Sequence, residues 1–279
     1  MDIFLFIDIY FAVTFTLLGI VIGSFLNVVI YRTPAGRKFS TGRSMCMTCG
    51  HELAAKDLVP LFSWLFLRGK CRYCKAPIAS RYAKIESFTG AVFLLSAITH
   101  LECSWFLTDY TNTLLLLFFF DYLLFVIACA AAIAAMMIHY DTRKSFFRVT
   151  GFVIVPAILS KVIWCFMSMR DKTVMDLLRD LLFLLIYIAG TVLVCFLLSK
   201  LFGKEYTRND LYLDMTFVPL LTFTLFTGVI YTWLTVSVYA VVYGVARAIL
   251  KGRNGDRYTG IASFLFVVIL IIIRYFITR

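Results

Sequence analysis

The chain has 279 residues and 15% charged residues, where soluble globular domains carry about 25%, and its mean hydropathy is +0.90. Apolar runs near the roughly 20 residues that cross a bilayer recur along it, so an ordinary soluble enzyme is excluded and an all-α polytopic membrane protein is expected. The formal net charge of +11 invites a nucleic-acid partner, but the placement of the cations supplies a different cause.

The first apolar run, Ile3 to Tyr31, has no basic n-region and no small-residue cleavage site. It is also too long for the core of a signal peptide, so it reads as a retained first span. Gly19 and Gly23 form a Gly-x-x-x-Gly step that lets another helix approach closely. Ser24 and Asn27 add polar groups to that helix, and Arg32 can snorkel to the inner interface.

A basic, cysteine-paired segment follows, and then further apolar runs near 85–100, 113–138, 149–168, 178–199, 211–228, 230–249 and 259–276. With the run at 5–31 these make about eight transmembrane helices. The run at 85–100 is short, and those at 211–228 and 230–249 nearly touch, so seven spans is the alternative.

Of the 27 Lys and Arg, 21 fall on alternate connections: Arg32 to Lys84, the loops after the third and fifth spans, and the link between the seventh and eighth. The opposite side includes "MDIFLFID" and "HLECSWFLTDYTNT", with no Lys or Arg in either. Arg170, Lys172 and Arg179 are its main exceptions. Cations collect in cytoplasmic loops, which puts the basic side in the cytosol and both termini outside. That asymmetry accounts for the net charge without nucleic acid.

Cys46, Cys49, Cys71 and Cys74 thus belong to a small cytosolic domain, residues 33–84. Thiols stay reduced there, which disfavours a structural disulfide pair. Two Cys-x-x-Cys pairs separated by 21 residues fit a tetrahedral four-cysteine zinc site with no open position for water. The metal acts as a staple, since a domain of this size has little core of its own. A thioredoxin-like redox role would need a βαβ pattern around a pair, and none is present. Cys103, Cys129, Cys165 and Cys195 read as small buried hydrophobes in or beside spans.

"GSFLNVVIYRTP" from Gly23 and "RSMCMTCGHELAAKDLVPLFSWLFLRGKCRYCKAPIASRYAKIE" from Arg43 strongly resemble the N-terminal domain of bacterial type IV prepilin peptidases. The resemblance takes in the cysteine tetrad, Asp57 to Pro60 and the Ser80 to Glu86 stretch. It implies a multi-pass enzyme of the bacterial inner membrane, an aspartyl protease that removes leaders from type IV prepilin or pseudopilin precursors at the cytoplasmic face. In many members the same domain accompanies methylation of the new N-terminus with S-adenosylmethionine. The organisation implied is a first transmembrane helix (1–32), the zinc domain (33–84) and a membrane-embedded protease core (85–279), with membrane lipid and pilin precursors as partners.

Such hydrolysis can be run by two carboxylates that share a proton, one as acid and the other activating water. Asp141, in "HYDTRK", stands where the third span leaves the membrane and matches the first catalytic position of the family. The Pro-Asp that often follows about six residues later is replaced by Phe146-Phe147. Asp210 is the second candidate. "FGKE" at Phe202 to Glu205 matches the usual lead-in to Gly-x-Gly-Asp-x-Lys, so Thr207-Arg208-Asn209-Asp210 occupies that motif and Tyr212 replaces its Lys. Asp214, one helical turn on, is the alternative second acid. Glu86 is a further candidate polar residue, and His139 lies two residues from Asp141 on another side of the helix. The rival readings are a non-catalytic membrane scaffold whose zinc knuckle docks partners in pilus or secretion assembly, and a methyltransferase without proteolysis.

Overall fold

A computed structural model describes residues 3–38, 42–100, 112–167, 207–212, 215–216 and 255–277, with alternating positions between 175 and 200. The chain divides into two compact units, Met1–Leu101 and Glu102–Arg279. Among the described residues the structure is mostly helical, with the cysteine segment largely turns and irregular chain.

In the first unit, α1 spans Ile3–Arg32, 30 residues. It contains no proline and consists mainly of long apolar side chains, and in hydrocarbon only a helix of this kind satisfies its backbone internally. It ends ahead of Pro34, whose ring disfavours helical geometry in the residue before it. A single 3₁₀ turn at Ala55–Asp57 and a short α2 at Phe62–Phe66 lie between the cysteine pairs. The longer α3, Arg81–His100, then returns antiparallel to α1.

The two glycines foreseen as a close-approach step serve that contact, and α3 is the partner. A Cβ on Gly23 would lie 2.7 Å from Glu86 Cα, and one on Gly19 would lie 2.8 Å from Phe93 Cβ. Gly90 of α3 answers from the other side, where a Cβ would meet Ile20 Cγ1 at 2.7 Å. Asn27 Nδ2 donates to Tyr82 O at 3.3 Å, so Tyr82 is level with Asn27. Phe15, Leu26 and Ile30 of α1 are buried, whereas Leu5, Phe6, Ile9, Tyr10, Val13, Val21 and Phe25 are exposed. An apolar stripe this long facing outward suits a lipid environment.

Gly23→Leu is expected to destabilise the α1–α3 hairpin by about 1–3 kcal/mol, the range for overpacking a tight contact. The clash is with the Glu86 Cα, and no side chain can rotate away from it. Thermal unfolding in detergent measures the effect, and an unchanged midpoint would refute the close approach.

In the second unit, α4 spans Asn112–Thr142, α5 Phe147–Met167 and α6 Gly255–Ile277. Both α5 and α6 pack on α4. The run Ala128 to Ala135 of α4 is buried all round, because small side chains admit neighbouring helices on several sides. Val149, Val153 and Ala157 of α5 and Phe264 and Val267 of α6 complete that core. Pro156 sits inside α5.

Among the described residues, two helical stretches are long and apolar enough to cross a bilayer, Asp8–Arg32 and Phe119–Thr142. Phe147–Ser160 and Gly260–Ile269 are shorter apolar helices. Every described position from 175 to 200 is helical, and Leu178, Leu182, Leu185, Ile186, Leu193 and Leu197 there are exposed. Most of the expected sixth span and all of the seventh lie outside the described residues.

Candidate functional site

The two cysteine pairs fold as near copies of one another. The Gly50 N–H donates to Cys46 O at 2.9 Å and the Lys75 N–H to Cys71 O at 3.0 Å. The Cys46 N–H donates to His51 O at 2.9 Å and the Cys71 N–H to Ala76 O at 2.8 Å. In each copy the residue after the second cysteine is left-handed, Gly50 at φ 69° and Lys75 at φ 60°. Glycine adopts that geometry freely, whereas Lys75 adopts it at a cost.

These turns bring all four Sγ atoms within 4.8 Å of one another, with Cys46 and Cys74 Sγ 3.8 Å apart. A tetrahedral ion about 2.3 Å from each sulfur sets the sulfur–sulfur spacing at about 3.8 Å, so the donor set fits a thiophilic metal ion. The electrostatics of the two pairs differ. The backbone N–H groups of Cys49 and Thr48 pull the Cys46 thiol down to about 6. The Ala76 N–H lowers Cys74, but desolvation and the three neighbouring thiols outweigh it and push Cys74 up to about 11. Four thiolates this close need a cation among them to ionise together.

The cysteine cluster is braced by groups whose roles the sequence alone does not assign. Asp57 Oδ1 accepts from Arg72 Nε at 2.6 Å and Asp57 Oδ2 from the Tyr73 hydroxyl at 3.1 Å. Both donors lie between Cys71 and Cys74, and the Asp57 side chain is only 3% exposed. The Arg72 hydrogen bond, outweighing desolvation and helped by Tyr73, holds the Asp57 carboxyl below the usual carboxylate range. A depressed carboxylate stabilises the fold above its unfolded pKa and loses that contribution as pH falls through its folded pKa. Acidification therefore loosens the brace. His51 stacks on Tyr73, with ring centroids 3.6 Å apart, and this closes the gap between the two knuckles.

Glu86 also acquires a place. It is buried, and its Oε2 accepts from the Leu61 N–H at 2.6 Å. Leu61 holds φ 59°, a strained value for a non-glycine residue, and the buried carboxylate fixes it there. Nothing in the local spacing shows this pairing, which joins residues 25 positions apart.

Residues 17–100 match the family described as the bacterial peptidase A24 N-terminal domain. This segment is similar to that domain. Over 30% of this chain it is 49% identical to a prepilin leader peptidase/N-methyltransferase of Myxococcus xanthus, covering 25% of that protein. A type 4 prepilin-like proteins leader peptide-processing enzyme of Escherichia coli is 38% identical over 32% of this chain and 40% of its own length. A prepilin leader peptidase/N-methyltransferase of Aeromonas hydrophila is 36% identical over 32% of this chain and 39% of its own length. The chain thus matches a quarter to two-fifths of the length of these curated relatives. No solved structure matches it. The matched segment holds the four cysteines, Asp57 and Glu86, and both candidate catalytic aspartates lie beyond it.

Asp141 stands exposed in the last turn of α4. The helix is closed by the Arg143 N–H donating to His139 O at 2.8 Å, with Arg143 left-handed at φ 55°. His139 is buried and its Nδ1 lies 3.3 Å from Ser145 Oγ. Asp210 is half-buried at the start of a helical turn, residues 208–212. Its Oδ2 accepts from both the Thr207 N–H and the Thr207 hydroxyl at 2.8 Å. The Asp210 N–H lies 3.4 Å from Thr207 Oγ1. This is a reciprocal capping box, so Thr207, which interrupts the expected glycine pattern, serves as a helix cap. Asp214 lies outside the described residues.

The loops carrying these aspartates meet. The Ser145 N–H donates to Asn209 Oδ1 at 3.2 Å, and Thr150 Oγ1 lies 3.0 Å from Thr216 Oγ1. The Phe147 and Tyr212 rings pack with centroids 5.9 Å apart. Phe147 and Tyr212 are the positions where the chain lacks the Asp and Lys of the usual pattern. The two departures therefore contact one another as an aromatic pair.

Proposed function

We propose that this chain is a multi-pass membrane aspartic endopeptidase that removes the leader from type IV prepilin or pseudopilin precursors at the cytoplasmic face. The observation carrying the reading is the segment similar to the A24 N-terminal domain, with its four-cysteine cluster and its α1–α3 hairpin closed by Gly19, Gly23 and Gly90. Asp141 and Asp210 are the catalytic pair, one protonated and the other activating water. The contact between Ser145 and Asn209 and the Phe147–Tyr212 pair support it, because a paired replacement keeps two loops together where a single loss would free them. Zinc is the metal of the cysteine cluster, chosen by four thiolates in a tetrahedral spacing. Its role is structural. The plasma membrane holds about eight spans in the domain order 1–32, 33–84 and 85–279.

Methylation of the new N-terminus from S-adenosylmethionine is a second activity of the same reading, supported by the double name of the Myxococcus and Aeromonas relatives. One observation favours the alternative, a non-catalytic scaffold for pilus or secretion assembly: the Asp210 carboxylate is engaged in helix capping with Thr207. A mass measurement separates the three. Purified protein incubated with a pilin-like precursor and S-adenosylmethionine is expected to give a product lighter by the leader, with any methyl gain read separately. An unchanged precursor mass would support the scaffold.

A further inference from the structure

Around α2 the matched segment presents a run of large apolar side chains that its own core does not use. Leu58, Val59, Phe62 and Leu65 are exposed, and Phe66 is 84% exposed. The ridge is preformed. The Leu61 N–H is held by Glu86, and Trp64 Nε1 donates to Ile78 O at 3.3 Å. Gly69, left-handed at φ 68°, lets the chain turn against the Trp64 ring, where a Cβ would meet Cζ2 at 2.9 Å. Lys56, Arg68 and Lys70 flank the ridge, all exposed.

Its depth follows from the hairpin. Glu86 lies against Gly23 of α1, and Tyr82 is level with Asn27. Leu61 is therefore tethered at Glu86, five residues beyond Arg81 and two beyond Lys84, about 3–7 Å past the cationic start of α3 at 1.5 Å per residue. Apolar faces of interfacial segments sink about 5–10 Å into the headgroup and acyl boundary, and Leu61, from which the ridge continues, is tethered at the shallow side of that range.

We propose that Leu58, Val59, Phe62, Leu65 and Phe66 form an interfacial lipid anchor. They insert into the acyl boundary of the anionic leaflet while Lys56, Arg68 and Lys70 meet its headgroups. The anchor fixes the zinc domain flat against the membrane. Charge decides the occupant, since the cations around the ridge attract acidic lipid and repel the basic leader expected of a prepilin-like substrate. The inference depends on α1 crossing the bilayer and not on the catalytic reading.

The test is depth-dependent quenching. Phe66→Trp is placed in the full chain with Trp105, Trp164 and Trp233 changed to Phe and Trp64 kept. The protein is reconstituted in phosphatidylethanolamine–phosphatidylglycerol vesicles with acyl chains brominated near the glycerol. The added indole is expected to emit at short wavelength, to lose at least half its intensity to the bromolipid and to resist aqueous acrylamide. Leu65→Trp gives a second reporter should Phe66→Trp misfold. Val21→Trp, on the exposed face of α1 and about 16 Å from Arg32, reports the span itself in matching vesicles brominated near the acyl-chain ends. Quenching at position 21 with solvent-like emission at 65 and 66 would overturn the anchor alone. Loss of quenching at every position would overturn it together with the membrane reading of α1. Protection at 66 that appears only when a prepilin-like peptide is added would also overturn it and assign the ridge to peptide.

Discussion

Cys71→Ser is expected to release the metal and unfold residues 44–78 while leaving the α1–α3 hairpin intact. Cys71 is 2% exposed, the most enclosed of the four ligands. Its N–H and O both belong to the second knuckle turn. A structural zinc site contributes an apparent 10–16 kcal/mol or so to the fold around it. Little else in the domain can replace that contribution, because neither the 3₁₀ turn at Ala55–Asp57 nor α2 has a buried residue. The hairpin is closed instead by glycine contacts that do not involve the metal. Elemental analysis under reducing conditions should give about one zinc per wild-type chain and a strongly reduced amount in the variant. Limited proteolysis should show new cleavage confined to the cysteine segment. Cys129→Ser, in the buried wall of α4, serves as the control and should keep its zinc. A metal-free wild type, or full occupancy in Cys71→Ser, would rule the site out.

Asp141→Asn and Asp210→Asn should each lower leader cleavage by about 10²–10⁴-fold, the span typical of losing a positioned acid or base. Both substitutions keep volume and hydrogen-bonding shape, so the change tests charge and proton transfer. Asp210 carries an added consequence. Its carboxylate caps the turn begun by Thr207, and an amide oxygen retains acceptance at a stability cost of about 1 kcal/mol or less. Thr207→Ala separates the two roles: it removes the hydroxyl donor to Asp210 and should cost stability with a much smaller effect on turnover. The readouts are initial cleavage rate by mass spectrometry and unfolding midpoint in detergent. Asp214→Asn should be mild. If Asp214→Asn abolishes cleavage while Asp210→Asn does not, the second acid lies one helical turn further on. Full activity in all the variants would remove the protease reading and leave the scaffold.

Much of this molecule was legible without coordinates because its signals are local. Hydropathy and the run of residues from Ile3 to Tyr31 are enough to predict α1, since a bilayer demands a long apolar helix. The Cys-x-x-Cys spacing is enough to nominate Cys46, Cys49, Cys71 and Cys74, since each pair closes its turn within six residues. Gly19 and Gly23 announce a close helix contact by their four-residue repeat, which puts both on one face.

What remained hidden depends on pairs distant in the chain. That α3 is the partner of those glycines and that Glu86 fixes the strained Leu61 are decided only when α3 folds back, and that Asp57 braces the second knuckle through Arg72 and Tyr73 only when the cysteine segment closes on itself. The same holds for Phe147 and Tyr212, which look like two separate losses in the sequence and meet as one contact in the fold. Periodicity and spacing report the faces and turns of a single segment. Which faces meet is set by packing and hydrogen bonding across separations of 15 to 66 residues, and one sequence carries no local record of that.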